Sequence, residues 1–208
     1  MRNRIYVHPT SVVDENVEIG EGTKVWHFSH IQSGARIGKN CSLGQNVNVS
    51  RNVLIGNGVK VQNNVSIYEG VELEDYVFCG PSCVFTNDLT PRARYPKENK
   101  YKRTLIKQEA TLGANCTIVC GNIVGEYAMV AAGAVVSKNV EPYALVAGVP
   151  AKRIGWVCEC GQVLDQDLVC QNCKRGYEMS DGILVMNSKF GGGYRLDRYL
   201  MRSVRLIA

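Results

Sequence analysis

The sequence predicts an all-β chain folded as a parallel solenoid of very short strands, and three observations carry the prediction. A bulky apolar residue recurs every six positions, at Val7, Val13, Ile19, Val25, Ile31, Ile37, Leu43, Val49, Ile55, Val61, Ile67, Leu73, Cys79 and Phe85. Four residues after each comes a small or β-branched one, among them Ser11, Val17, Thr23, Ser29, Ala35, Cys41, Val47, Val53, Val59, Val65, Val71, Val77 and Cys83. Glycine often follows the bulky position directly, as at Gly20, Gly38, Gly44, Gly56, Gly113 and Gly125, where a tight corner leaves little room for a side chain.

A helix would show a period of 3.6 and a half-buried strand a period of two, so six fits neither alone. Short strands joined by corners do fit. Three hexads close one triangular coil of about 18 residues, and stacking coils hides an apolar face that no single repeat could bury. A β-sandwich would lose this phase at its variable loops.

After Phe85 the pattern stops at Thr86-Asn87-Asp88 and is next legible at Leu112, followed by Ile118, Val124, Val130 and Val136. The gap of 27 residues is not a multiple of six, so residues 87–110 are expected to leave the coil. Residues 88–109 carry seven Lys or Arg against three Asp or Glu. A long loop on a compact solenoid is usually functional; the alternative is a solvated insertion.

The organisation read from the sequence is a coil domain over residues 1–155, a small cysteine-rich module over 156–185 and a basic tail over 186–208. The net charge of +5 is concentrated in the loop and the tail, where residues 186–208 carry five cations against one anion. That distribution predicts a local anion-binding loop and argues against a nucleic-acid binder. The start of the chain has no apolar signal-like run, and no stretch approaches the roughly 18 apolar residues of a membrane span. A cytoplasmic protein without membrane insertion is expected. Nine cysteines, an odd number, in such a chain predict thiols rather than disulfides.

The segment VAAGAVVSKNVEPYALVAGVPAKRIG, residues 130–155, resembles the last coils of hexapeptide-repeat acyltransferases. The resemblance implies a left-handed parallel β-helix, a homotrimer, acetyl-CoA as donor and active sites in clefts between subunits. Further stretches are similar to one subgroup: Val25-Trp26-His27-Phe28-Ser29-His30-Ile31, Phe85-Thr86-Asn87-Asp88 before an arginine-rich loop, Gly148-Val149-Pro150-Ala151, and Gly155-Trp156-Val157-Cys158. These resemble the UDP-2-acetamido-3-amino-2,3-dideoxy-glucuronate N-acetyltransferases of O-antigen and surface polysaccharide synthesis. A dTDP-linked amino-deoxysugar N-acyltransferase is the alternative within the fold, and a zinc-ribbon binding module on a solenoid scaffold is the alternative outside enzymes. A γ-class carbonic anhydrase is excluded, because His8, His27 and His30 are the only histidines and their spacing is wrong.

Asn87 matches the family's asparagine at the loop exit and is the candidate for positioning the nucleophilic amine; the other reading is a turn residue bonded to backbone. His27 and His30 lie at outward positions, either as a general base at an interface or as packing partners of Trp26 and Phe28. Arg92, Arg94, Lys97, Lys102 and Arg103, beside Asp88, are candidates for gripping a diphosphate and a sugar carboxylate. For CoA the resemblance points to Gly113, Ala132 and Gly133, with Lys138, Lys152 and Arg153 near the adenosine phosphates. Cys158, Cys160, Cys170 and Cys173 resemble a small zinc ribbon whose thiolates suit tetrahedral Zn²⁺. The first pair is CxC rather than CxxC, and a redox pair or metal-free thiols are the other readings. Cys41, Cys79, Cys83 and Cys116 are assigned to the core.

Overall fold

The computed structural model describes residues 4–95 and 101–187. Lys97 and nearly all of the basic tail lie outside the described residues. The chain winds a parallel β-helix of about eight turns, with no helix among the described residues.

Three sheets form the faces of the triangular coil. The first runs through Tyr6–Val7, Lys24–Val25, Ser42–Leu43, Lys60–Val61, Phe78–Cys79, Thr111–Leu112, Met129–Val130 and Ala144–Ala147. The second stacks Val12–Val13, His30–Ile31, Asn48–Val49, Ser66–Ile67, Val84–Phe85, Thr117–Ile118 and Val135–Val136. The third stacks Glu18–Ile19, Arg36–Ile37, Leu54–Ile55, Val71–Leu73, Thr104–Ile106 and Ile123–Val124. Neighbouring strands pair in register, as Ser42 with Lys60 and Leu43 with Val61. Every expected bulky position from Val25 to Val136 is buried, as are the small positions from Thr23 onward. Val7, Val13 and Ile19 belong to the first described turn, whose strands end the three sheet orders, and they remain partly open.

The glycines after the bulky positions do what tight corners demand. A Cβ on Gly38 would sit 2.5 Å from the carbonyl oxygen of Gly56 one turn on, and one on Gly113 would sit 2.5 Å from the Ala132 nitrogen. Buried hydroxyls at the small positions carry a second function. Thr23 Oγ1 donates to the Gly38 carbonyl at 2.7 Å and accepts from the Cys41 amide at 3.0 Å, and Ser29 repeats the pattern with Gly44 and Val47. These side chains satisfy corner groups that the strands leave unpaired.

A further periodic position is visible only in the backbone. The third residue after the bulky one adopts a left-handed φ near 60°, and Asn fills it at Asn16, Asn40, Asn46, Asn52, Asn64 and Asn115. Asn tolerates that region better than other side-chain-bearing residues. Phe28, Tyr76, Glu109 and Tyr127 occupy the same position without that tolerance.

The excursion is shorter than the sequence predicts. Thr104–Ile106 pairs with Val71–Leu73 on one side and Ile123–Val124 on the other, so the coil resumes at Thr104 and not after residue 110. Ile106 and Ala110, both fully buried, supply the missed bulky and small positions. Ile106 stands six positions before Leu112 and Ala110 four after Ile106, so this hexad is in phase with the later repeats.

At the far end, Lys152–Trp156 turns back antiparallel on Ala144–Ala147 and closes the first sheet. Trp156 packs against both the coil core and the core of the following module, so the boundary at 155 falls inside a strand. The module consists of two cysteine turns and a hairpin, Tyr177–Ser180 with Ile183–Met186, reversed at Asp181-Gly182 with both residues at positive φ. Its core is Cys158, Leu164, Cys170, Tyr177 and Leu184, completed by Tyr143 from the coil.

Candidate functional site

Asn87 stands two residues beyond the strand Val84–Phe85, half-buried, where the chain leaves the coil. Its carbonyl accepts from the Lys102 amide at 3.0 Å, which ties the departing and returning ends of the excursion together. Thr86 anchors the exit: its amide donates to Ile118, and its hydroxyl accepts from the Cys120 amide at 3.0 Å. Asp88 caps the first loop turn by accepting from the Thr90 amide at 2.8 Å.

The loop cations divide into two sets. Arg103 lies 2.5 Å from Glu72 on the third face, so its charge is already answered within the chain. Arg92 and Arg94 are exposed on the loop itself, and Arg92 Nη1 donates to the neighbouring Pro91 carbonyl. Lys102 is exposed beside the returning strand.

His27 and His30 do not meet Asn87 within one chain. The strand His30–Ile31 and the strand Val84–Phe85 are three steps apart on the second sheet, a separation of about 14 Å at normal strand spacing. His30 Nε2 contacts Asp14 Oδ1 at 2.9 Å, and Asp14 Oδ2 accepts from the Ser33 amide. The hydrogen bond from His30 is the main cause that holds the Asp14 carboxyl below its ordinary range. His27 stacks on His8 at 3.5 Å between centroids, within an exposed group that includes Tyr6, Trp26 and Phe28. Desolvation, aided by His27, lowers the pKa of His8.

Gly113 and the pair Ala132-Gly133 share one corner on successive turns, and the Gly133 amide donates to the Ala114 carbonyl at 2.9 Å. Ala132 and Gly133 are exposed, which leaves backbone groups accessible to a ligand. Lys138 and Lys152 are exposed as well. Arg153 is engaged: it pairs with Glu141 and lies 4.3 Å over the Trp156 ring.

The four C-terminal cysteines come together as the spacing suggests, with their sulfurs all within 4.8 Å of one another. Cys41, Cys79, Cys83 and Cys116 are buried in the coil, as is Cys120. The hydrogen bond with Cys83, together with burial, pushes the Cys116 thiol far above its usual range, which suits a core thiol with no chemistry at neutral pH.

Several partners escape single-residue reasoning: Asp14 for His30, Glu72 for Arg103, and the ring series Tyr127, Tyr143 and Tyr177. The signal for the first was present, because a residue one turn back and two along is a lateral neighbour in a parallel coil. A shallow groove of about 550 Å³ on the third face is lined by Glu18, Glu72, Glu74 and Asp75 among others. Four carboxylates make it a poor seat for a polyanionic nucleotide or CoA.

Such a coil, with a cationic excursion and an open glycine corner, defines a hexapeptide-repeat protein. Residues 16–51 match the family described as bacterial transferase hexapeptide (six repeats), and residues 34–69 and 105–138 match the hexapeptide repeat of succinyl-transferase. The chain is 47% identical over 182 residues to dTDP-3-amino-3,6-dideoxy-alpha-D-galactopyranose 3-N-acetyltransferase of Aneurinibacillus thermoaerophilus, covering 86% of this chain and 93% of that relative. The chain therefore belongs to the hexapeptide-repeat acetyltransferase family, which is a family of enzymes. Among solved structures it is similar to the acetyltransferase domain of PglB from Neisseria gonorrhoeae, at 20% identity and a TM-score of 0.49, covering 73% of this chain and 58% of that one. It is also similar to PerB from Caulobacter crescentus, at 23% identity and a TM-score of 0.45, covering 73% and 57%. The chain spans less than two thirds of either of those structures.

Proposed function

We propose that this chain transfers an acetyl group from acetyl-CoA to the 3-amino group of a nucleotide-linked 3-amino-3-deoxyhexose, with a dTDP-linked 6-deoxy sugar as the first substrate reading. One observation carries it: 47% identity across nearly the whole length of a relative named for that transfer. The engagement of Arg103 by Glu72 agrees, since a 6-deoxy sugar brings no carboxylate and asks less of the loop cations than a uronate. A UDP-linked 3-amino uronate is the second reading, favoured by the exposed Arg92 and Arg94 on the same loop. We place the enzyme in the cytoplasm as a homotrimer with clefts between subunits.

In this reading the amine nitrogen attacks the thioester carbonyl, a tetrahedral oxyanion forms, and its collapse releases CoA as a thiolate that takes up the proton lost by nitrogen. An amino-sugar nitrogen with a pKa near the α-amino value of about 8 has a usable neutral fraction at pH 7. Orientation of two bound substrates then supplies most of the rate, on the order of several kcal/mol. The side-chain carbonyl of Asn87 accepts from the amine and aims it. The side chain cannot take the proton at neutral pH. The exposed corner at Gly113, Ala132 and Gly133 receives CoA, with Lys138 and Lys152 on its phosphates.

The test is acetyl transfer by purified protein across dTDP- and UDP-linked 3-amino sugars. Preference for the dTDP-linked 6-deoxy sugar is expected. Turnover of the UDP-linked uronate alone replaces the first reading with the second, and no transfer to any amino sugar overturns both. On the accepted substrate, Asn87→Ala should lower kcat/KM by about 10²-fold or more. His27→Asn and His30→Asn should each cost less than the roughly 10²–10⁴-fold of a lost general base. A thousandfold loss in either histidine variant, with assembly and CoA affinity intact, makes that histidine the base.

A further inference from the structure

We propose that Cys158, Cys160, Cys170 and Cys173 bind one Zn²⁺ ion, and that this ion fastens the C-terminal module onto the last turns of the coil. The acetyl-transfer reading does not need this site, and nothing in the coil supplies it.

The geometry is that of two loops brought face to face. Cys158 Sγ lies 3.3 Å from Cys173 Sγ, and Cys160 Sγ lies 3.5 Å from Cys170 Sγ, so each close pair takes one sulfur from each loop. Four sulfurs at about 2.3 Å from a tetrahedral Zn²⁺ lie roughly 3.8 Å apart, close to what is seen. The two loops also close alike despite their different spacing. The Gly161 amide donates to the Cys158 carbonyl at 2.8 Å and the Lys174 amide to the Cys170 carbonyl at 2.9 Å. Gly161 and Lys174, each just past the second cysteine of its pair, both take a left-handed φ. The shorter CxC pair thus reaches the turn that the CxxC pair makes.

Every sulfur has a donor. Tyr177 Oη donates to Cys158 at 3.1 Å, Arg175 Nη1 approaches Cys173 at 3.4 Å, the Cys173 amide approaches Cys170 at 3.5 Å, and Asn172 Nδ2 lies 3.9 Å from Cys160. Four neutral thiols need no such company; four thiolates on a dication carry a net charge of −2 that these groups offset. Arg175 is itself held near Glu159, at 3.8 Å.

The consequence reaches the coil because the cysteine loops share a core with it. Cys158 and Cys170 pack with Tyr143, which stacks on Tyr127 at 5.0 Å and tilts against Tyr177 at 5.6 Å. A module with this little core of its own folds on its metal. Without the ion, the module should detach from Tyr143 while the turns beneath it remain.

The experiment uses the full chain, purified under reducing conditions without chelator. Elemental analysis should find about one zinc per chain, released as a mercurial titrates about four thiols. Replacement by Co²⁺ should give the thiolate-to-metal absorption of a tetrahedral sulfur site. Cys160→Ser, at an exposed position, should lose the metal and be cut at Lys174 or Arg175 by trypsin about tenfold faster or more, with the coil spared. Cys120→Ala, in the coil, should keep the metal and its resistance. Less than about a tenth of an equivalent of zinc together with no Co²⁺ uptake by the reduced protein overturns the proposal. So does full zinc retention by Cys160→Ser, and so does equally rapid cleavage at Lys174 or Arg175 in the zinc-loaded chain.

Discussion

Glu109 sits at a left-handed φ of 60°, in the position that six other corners give to Asn. Although much of the residue reaches solvent, desolvation raises its carboxyl pKa, and Glu159 of the module adds to the shift. An acid whose folded pKa lies above its unfolded one favours the fold below the unfolded value and loses that contribution as pH rises through the folded value. Near neutral pH the charge at Glu109 therefore opposes docking of the module. Glu109→Asn should raise thermal stability at pH 7 through both backbone and charge. The charge part should vanish below the ordinary glutamate pKa of about 4.3, leaving only the backbone part, on the order of 1 kcal/mol. Melting curves at pH 7 and pH 4 separate the two. A gain no larger at pH 7 than at pH 4 would show that the two carboxylates do not interact.

The coil itself was legible almost strand by strand, because bulky, small and glycine positions each answer to one local demand repeated at every turn. Gly38 shows how rigid that demand is, with the next turn's backbone at 2.5 Å from any added Cβ. Gly38→Ala should cost about 1–3 kcal/mol, the range of an overpacked core, although it enlarges the chain by one methyl group. Urea denaturation measures it, and a cost near zero would mean that the corners flex. Legibility failed where an element borrows from a distant one. Ile106 lies in phase six positions before Leu112, but that its strand rejoins the third face is read from its partners Val71–Leu73 and Ile123–Val124. The candidate site was legible as residue types and much less so as geometry. The four cysteines declared themselves by spacing, whereas the separation of His30 from Asn87 and the capture of Arg103 by Glu72 depend on which turn each residue occupies.

On the scale of the whole molecule, the exposed rings near one edge of the early turns ask for a cover. Phe28 is 61% exposed and holds a left-handed backbone that a bulky side chain disfavours; Trp26 beside it is 36% exposed. A closed trimer would bury that patch three times over. Light scattering should give three times the 22.9 kDa chain mass, and the Trp26→Ser, Phe28→Ser double variant should dissociate at micromolar concentration, having lost about 2–3 kcal/mol per ring. A monomeric parent protein would remove the shared-cleft reading and leave Asn87 to act within one chain. The far end of the coil carries a different consequence. A stack of parallel strands is in principle a template without a stop, since each turn offers the next an edge like its own. The antiparallel return of Lys152–Trp156 and the module beyond it blunt that edge on the first face. On that face a further parallel turn cannot add to Ala144–Ala147, whose outer edge Lys152–Trp156 already occupies.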